Sequence, residues 1–445
     1  MIRIRKRARR LLTAIAGLTL LAAMTAGCRG DDGRTERPGA DGLGESLLGR
    51  SITVYMGNSP AAEAIRTLLP EFEAKTGLKV DLTSFTNEQL SQKLSVQFAA
   101  GSANPDVFML RPLEELRSFG VGGSLEPLNR FVSGDAEYDF ADFSQAAVES
   151  VTLDGTIAAM PLSTEQQILF YRKDLLEEAG LPVPRTLDEL EAAAGRLHDP
   201  AGGGVYGFVA RGQRNALVTQ LSSFLYSEGG DFQQGGKATI NTPEALEGIN
   251  RYVTLLRRYG PPGVFNMGWQ QAAGLFSQGK AAFYTDASAI YAIAIGSEQS
   301  SIKDKVGFAL FPAGRAGAKP YSITAWGLAM NAASDRKEAA WQFIRWATGK
   351  DIVMKSQQMG NPGARRSVWS DPRGVAGFPE SYIAVVTESM RIGVGHDRPQ
   401  VVNVGAARDL IGDIVVQGLL EEDIRAAADK ANRDFQALID KERSP

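Results

Sequence analysis

The sequence contains almost no cysteine and very little histidine. Its 445 residues include one cysteine, Cys28, and two histidines, His198 and His396. A single cysteine cannot form a disulfide within the chain, and a structural zinc site of cysteine and histidine is nearly excluded for want of ligands. The sequence therefore predicts neither an internal disulfide nor a metal site, and we expect no cofactor.

An excess of charge of one sign is also lacking. The chain has 48 lysine and arginine residues against 51 aspartate and glutamate residues, a net charge of −3, which gives no general case for nucleic-acid binding. Hydrophobic residues make up 44% and charged residues 22% of the chain, values that exclude wholesale disorder. The length suggests two or three domains, with enough residues to bury large cores.

The N-terminal segment differs from the rest of the chain. Six basic residues lie within positions 3–10, and an uncharged run of 17 residues, 11–27, follows them. A basic start, an apolar stretch too short for a secure bilayer span and a small-residue end are typical of a secretory signal. The string MTAGC at 24–28 resembles the lipobox of bacterial lipoproteins, which implies cleavage before Cys28 and lipidation of that residue. An uncleaved membrane anchor, or cleavage elsewhere with a free cysteine, are the alternatives.

Removal of residues 1–27 changes the charge of the chain. It leaves 42 basic against 51 acidic residues, so the mature protein has a net charge near −9. Residues 28–50 are rich in glycine and charge and contain no aromatic residue, which predicts a flexible tether. We therefore expect a lipid-anchored protein on the outer face of a bacterial membrane.

Strand and helix patterns alternate from Ser51 onward. Residues 52–56 and 78–82 alternate like strands, and 105–110 form an apolar run. Between them, Ile65, Leu68, Leu69 and Phe72 have helical spacing, as do Leu90, Leu94 and Phe98. Alternating strands and helices predict an α/β fold with a mostly parallel sheet.

Enzyme motifs are present only in fragments. Residues 274–280, GLFSQGK, match a phosphate-binding loop, but Ala281 stands where serine or threonine is needed, and helix precedes strand. Residues 202–207 match GxGxxG but follow a loop, and the nucleophile elbow GxSxG is absent. We expect a protein that is not an enzyme.

Several strings, read in order, carry a family resemblance. From about Ser51 to the C-terminus the chain resembles the family 1 extracellular solute-binding proteins of ABC importers, the broad family of maltose-binding protein. The strings are PEFEAKTG at 70–77, PDV at 105–107, LFYRKDL at 169–175, EAGL at 178–181, Phe276 with GKAA at 279–282, WGLAM at 326–330 and KEAAWQFI at 337–344.

The resemblance implies a two-lobe fold of the periplasmic-binding-protein type, class II, with three crossing segments that form a hinge. We expect an N-terminal lobe from residues 51–162 plus 328–375 and a C-terminal lobe from 168–322 plus 388–445. The crossings are expected near 162–167, 322–328 and 373–390. Such lobes close on a ligand like a hinged clamp, and the family implies a monomer that delivers its ligand to the subunits of a membrane permease.

Candidate ligand contacts lie at the crossings and just after strands, where open α/β sheets bind ligands. Sugar-like ligands need polar groups for their hydroxyls and aromatic faces for their C–H surfaces. Trp326 is the expected stacking platform and Asp286 the expected hydroxyl acceptor, whereas Asp106 could equally pair with neighbouring groups. The predicted ligand-binding residues are Asn58, Asn87, Gln89, Asp106, Arg111, Glu165, Tyr284, Asp286, Trp326, Gly327 and Arg365.

The expected function is the capture of a sugar, an oligosaccharide or a sugar alcohol outside the cell. The strings at 284–289 and 361–367 resemble the branch of the family that binds sugar alcohols and small sugars. Two alternatives stay open: the same fold binding an osmolyte, a peptide or another non-sugar solute, and a lipid-anchored glycan hydrolase.

Overall fold

The computed structural model describes residues 48–294 and 300–443. The predicted signal segment, Cys28 and most of the predicted tether lie outside the described residues. Within the described part, no helix has the length and apolar character that a membrane crossing requires.

The described residues form strands β1 (Ser51–Gly57), β2 (Lys79–Phe85), β3 (Val107–Leu110), β4 (Thr152–Leu153), β5 (Thr156–Ile157), β6 (Met160–Arg172), β7 (Tyr206–Val209), β8 (Gln233–Gln234), β9 (Lys237–Ala238), β10 (Ala281–Ala287), β11 (Val306–Leu310) and β12 (Ser322–Met330). The helices are α1 (Pro60–Thr76), α2 (Asn87–Ala99), α3 (Pro112–Val121), α4 (Asn129–Ser133), α5 (Gln145–Ser150), α6 (Lys173–Ala179), α7 (Leu187–Leu197), α8 (Leu217–Glu228), α9 (Pro243–Tyr259), α10 (Trp269–Ser277), α11 (Tyr291–Ala294), α12 (Lys337–Ala347), α13 (Lys350–Gln358), α14 (Arg366–Trp369), α15 (Pro372–Val375), α16 (Glu380–Ile392), α17 (Val404–Leu419) and α18 (Ile424–Arg443).

The first three strands form the predicted parallel unit. β1 pairs in parallel with β2 and with β3, and α1 and α2 connect them. Ser59 caps α1 through its side chain and Pro60 opens the helix, while Gly77 ends it in the left-handed conformation at φ 71°. Local capping and hydrophobic spacing therefore account for this part of the fold.

The large sheet runs through both lobes in the order β2–β1–β3–β12–β6–β10–β7, with β11 also paired to β6. The 13-residue strand β6 pairs with β12 in its first half and with β10 and β11 in its second half. Two strands, β6 and β12, therefore pass between the lobes. Because their pairings are antiparallel, the sheet is mixed, and the prediction of a mostly parallel sheet is wrong. The predicted reversed order around the GLFSQGK string is confirmed, because α10 precedes β10.

Two separate hydrophobic cores define the lobes. The N-terminal core extends from Ile52 to Leu162 and resumes at Leu328. The C-terminal core begins at Ile168 and continues to the C-terminal helices. Ala364 belongs to the N-terminal core and Trp369 to the C-terminal core, so the chain changes core there, a few residues before the third crossing expected from Arg373 onward.

Candidate functional site

The crossing strands present polar and aromatic side chains on one face. Ser163 of β6 lies opposite Trp326 of β12, and Glu165 lies opposite Ile323. Opposed residues in an antiparallel pair share a face, as do residues two apart on one strand. Glu165 and Trp326 therefore lie on the same face of the sheet, where the lobes meet. The pairing shifts register at Trp326, an irregularity that re-aims a side chain.

The N-terminal lobe places Trp326 against the end of β1. A Cβ atom added to Gly57 would lie 3.1 Å from Asn87 Oδ1 and 3.3 Å from Trp326 Cη2. Glycine at this position therefore allows the indole to approach the backbone closely. Asn87 Oδ1 is buried and has no hydrogen-bond partner among the described residues. The N-terminal lobe therefore places an aromatic ring close to an amide oxygen that has no hydrogen-bond partner among the described residues.

The C-terminal lobe contributes a fully buried carboxylate, Asp286 on β10. It accepts hydrogen bonds from Arg211 Nε at 3.0 Å and Nη2 at 2.5 Å, and from Gln220 Nε2 at 2.8 Å. Tyr284 Oη at 2.8 Å and the Ala287 amide at 2.7 Å also donate to it. A carboxylate offers about four lone-pair positions, so these donors fill Asp286.

Asp286 therefore holds Arg211 in place, and its acceptor positions are taken by protein donors. Burial lowers the pKa of Arg211, but the Asp286 charge outweighs burial and raises it above the ordinary value. Tyr284 supports this arrangement from inside the lobe, where it is fully buried and stacks on Phe170 at 5.6 Å. Asp286 therefore binds Arg211 directly, and Tyr284 in turn binds Asp286.

A second arginine–aspartate pair lies in the loop before α17. Arg398 Nε and Nη2 each donate to Asp397 at 2.6 Å. Asp397 is fully buried, and burial raises its pKa, but the Arg398 charge and hydrogen bonds bring the pKa below the ordinary value. Thr219 of α8 lies 3.4 Å from Arg398 Nη2. This pair has the same form as Arg211 with Asp286.

Ion pairs connect the two lobes beside these groups. Glu114, on α3 of the N-terminal lobe, contacts Arg398 Nη1 at 2.5 Å and Arg408 Nη1 at 3.4 Å. Arg111 Nη1 of the same lobe lies 2.5 Å from Glu114. Burial raises the pKa of Glu114, but Arg398, Arg111 and Arg408 lower it below the ordinary value. The lobes are therefore in direct contact through one carboxylate.

Glu165 lies on the crossing strand within electrostatic range of both buried pairs. Burial, its largest influence, raises its pKa to about 7. Arg211 and Arg398 lower this pKa, while Asp286 and Asp397 raise it. The carboxyl group therefore changes protonation near neutral pH, and it marks the floor of the interlobe cleft, which we define by Asn87, Glu165, Arg211, Trp326 and Arg398.

Further buried polar atoms near this floor lack protein partners. Tyr321 Oη, Gln166 Nε2 and Gln220 Oε1 have no hydrogen bond within the described residues. Burial raises the pKa of Tyr321 well above its ordinary value. The Asp286 charge raises this pKa further, and the Arg211 charge lowers it. Buried polar groups normally find partners, so these three atoms are exceptions within the described residues.

Three other predicted residues have local structural contacts. The Gln89 side chain accepts from the Thr86 amide in a capping box. Asn58 is exposed, and its backbone N–H donates to the Phe85 carbonyl oxygen at 2.7 Å. Gly327 is packed so closely that an added Cβ would lie 3.3 Å from the Met160 carbonyl oxygen. Capping and close packing account for the local contacts of Gln89 and Gly327, and the Asn58 bond involves only its backbone, so ligand contact by these three residues stays a prediction.

Two predicted contacts lie away from the cleft. Asp106 precedes β3, at the opposite end of the strand from the cleft, where it accepts from the Thr53 amide at 2.8 Å and Ser334 Oγ at 2.6 Å. Arg365 is buried in the N-terminal lobe, where its guanidinium carbon lies 4.6 Å from the ring centre of Tyr138. The described contacts of both side chains lie within the N-terminal lobe.

Sequence reasoning missed Arg211, Arg398 and Asp397. Arg211 follows β7 by two residues, so the same rule that selected other residues after strands would have found it. Asp397 and Arg398 lie in an irregular loop that no periodicity distinguishes. Within the described chain, no group of three or more histidine, cysteine, aspartate or glutamate residues is placed to hold a metal ion.

Comparison with known proteins adds a family context to this geometry. Residues 57–354 match the sequence profile described as bacterial extracellular solute-binding protein. A mannitol-binding protein from Pseudomonas aeruginosa is 30% identical over 294 residues, 63% of this chain and 66% of that protein, just under two thirds of its length. An erythritol/L-threitol-binding protein from Mycolicibacterium smegmatis is 25% identical over 400 residues, 83% of this chain and 81% of that protein.

Solved structures of similar proteins share the fold over most of this chain. An ABC transporter solute-binding protein from Agrobacterium radiobacter, in complex with ribitol, is 29% identical and has a TM-score of 0.76. That match covers 88% of this chain and 100% of the other. A solute-binding protein from Agrobacterium vitis with bound D-mannitol is 26% identical, has a TM-score of 0.68 and covers 88% and 98% of the two chains.

Proposed function

The chain belongs to the family of bacterial extracellular solute-binding proteins, and from this premise we propose that it captures a small sugar or sugar alcohol for an ABC importer. The observation that carries the proposal is the interlobe cleft itself. Glu165 on its floor, Arg211 and Arg398 on one wall, and Trp326 with Asn87 on the other offer several donors, several acceptors and an aromatic ring. Ligands with many hydroxyls and C–H faces need these groups.

Capture depends on closure of the lobes. A ligand that contacts Trp326 on one lobe and Arg211 on the other stabilises the closed arrangement by its differential affinity for that state. The mannitol, ribitol and erythritol relatives favour linear polyols of four to six carbons as ligands. In this proposal the protein is a monomer that binds its ligand, leaves it chemically unchanged and delivers it to the permease subunits. A lipid on Cys28 holds the protein at the outer face of the cell membrane.

A thermal-shift panel tests this function. Erythritol, ribitol, D-mannitol, maltose, an amino acid, a dipeptide and glycine betaine are compared, because a ligand that binds only the folded state raises the melting temperature. We expect a polyol or sugar to stabilise the protein and to be recovered intact afterwards. Stabilisation by the osmolyte or the peptide alone would contradict the proposal, as would release of a cleavage product from maltose.

The lipid anchor has its own test. The full chain, expressed in a bacterial host with labelled palmitate, is expected to carry the label and to fractionate with membranes. Cys28→Ser removes the thiol and is expected to lose both properties. An unlabelled protein, or a labelled Cys28→Ser variant, would contradict lipidation at this residue.

A further inference from the structure

The two arginines that face the cleft are bound by aspartate in the same way. Asp286 occupies the Nε and Nη2 atoms of Arg211, and Asp397 occupies the same two atoms of Arg398. Both aspartates are fully buried. Each guanidinium therefore has one two-donor edge taken and its positive charge neutralised before any ligand arrives.

An occupied edge limits what these arginines can bind. Arginine recognises carboxylate and phosphate groups by presenting two parallel N–H donors to two oxygens. Asp286 takes the Nε–Nη2 edge of Arg211, so this guanidinium keeps only its Nη1–Nη2 edge, and its charge is already neutralised by the aspartate. Arg398 also uses Nη1, which contacts Glu114 at 2.5 Å. Arg398 therefore keeps no free two-donor edge, and the edge that Arg211 keeps lacks the uncompensated positive charge that favours a carboxylate over a hydroxyl group.

The remaining charges near the cleft do not restore a site for an anion. Arg408 contacts Glu114 at 3.4 Å, and Arg111 contacts both Glu114 and Glu115. Glu165 adds a carboxyl group to the floor with no cation bonded to it in any described contact. An incoming carboxylate would lose its water beside several carboxylates and find its possible partners already paired, which is unfavourable.

We propose that Asp286 and Asp397 act as specificity residues that restrict the cleft to uncharged polyhydroxy ligands and exclude the sugar acids of the same length. The proposal rests on the proposed function and deepens it. These aspartates are positioning residues: they act through Arg211 and Arg398 and do not contact the ligand themselves.

Matched ligand pairs test the proposal on the unmodified protein. Calorimetric titrations compare erythritol with erythronate, ribitol with ribonate and D-mannitol with D-mannonate, pairs that differ only by oxidation of C1 to a carboxylate. For any pair in which the polyol binds, we expect the dissociation constant of the polyol to be at least about 100-fold lower than that of its acid. Acid binding within threefold of the polyol would overturn the specificity proposal and leave polyol capture intact. If all six compounds fail to bind, polyol capture itself is contradicted, and the specificity proposal fails with it.

Variants assign the effect to the two aspartates. Asp286→Asn and Asp397→Asn each remove the carboxylate that neutralises a guanidinium group. Each is therefore expected to lower the ratio of polyol affinity to acid affinity by about tenfold or more. The second variant keeps the test decisive if the first does not fold, since Asp286 accepts five hydrogen bonds. Asp142→Asn is the matched control: Asp142 is also buried beside a buried arginine, 3.6 Å from Arg365 of the N-terminal lobe. A folded cleft variant with the unaltered ratio would overturn the proposal.

Discussion

Glu165→Gln removes from the cleft floor a carboxyl group whose ionisation opposes folding. Burial raises the pKa of Glu165 from 4.5 to about 7. Between these values the folded state holds a proton that the unfolded state has lost, so stability falls as pH rises and the full cost applies above pH 7. A pKa change of this size corresponds to at most about 3 kcal/mol, and less where solvent reaches the group.

Urea unfolding of the ligand-free protein at pH 5, 7 and 9 measures this cost. We expect Glu165→Gln to have nearly the stability of the unmodified protein at pH 5 and to exceed it by about 1–3 kcal/mol at pH 9. Glu178→Gln, a change at an exposed residue of α6, serves as the control and is expected to give no pH-dependent gain. Parallel stability curves for Glu165→Gln and the unmodified protein from pH 5 to 9 would refute the burial of the Glu165 carboxyl group at the cleft floor.

Three further substitutions test other parts of the structure. Trp326→Ala is expected to weaken polyol binding about tenfold in calorimetry without unfolding the protein, whereas Trp269→Ala, on an exposed residue, leaves affinity unchanged. Glu114→Gln removes the interlobe carboxylate and is expected to weaken affinity about threefold to tenfold and to favour open lobes in small-angle scattering; Glu126→Gln, whose ion pair lies within one lobe, is the control. Arg365→Met is expected to cost about 2–4 kcal/mol of unfolding free energy with affinity unchanged, because it breaks contacts inside the N-terminal lobe. Unaltered affinity in Trp326→Ala or Glu114→Gln, or lost affinity in a folded Arg365→Met, would contradict these placements.

The α/β class and the first parallel unit were predictable because their signals are local. Helical spacing in α1, the Ser59 cap and the glycine at position 77 lie within 20 residues of one another. The two-lobe arrangement is not encoded in any such window. It follows from a resemblance spread over the chain, and the likeness to solved solute-binding proteins, with a TM-score of 0.76 for the ribitol complex, confirms it.

The cleft was less predictable because its chemistry depends on distant partners. Asp286 looks like a free acceptor in sequence, but Arg211, 75 residues away, occupies it. Arg365 looks available after a loop, but the fold directs it between Tyr138 and Phe143. Glu165 and Trp326 were selected because strand crossings place side chains between lobes. Positions of this kind can be found from sequence, whereas the bonding state of a buried side chain needs the structure.

Calorimetric titration of the purified protein with D-mannitol, ribitol, erythritol and maltose measures ligand capture directly. Capture of a sugar or sugar alcohol in the interlobe cleft predicts saturable binding to one site for at least one of these compounds, and loss of most of that affinity in Trp326→Ala. Absence of binding by all four, together with saturable binding of a non-sugar solute such as glycine betaine, would contradict it.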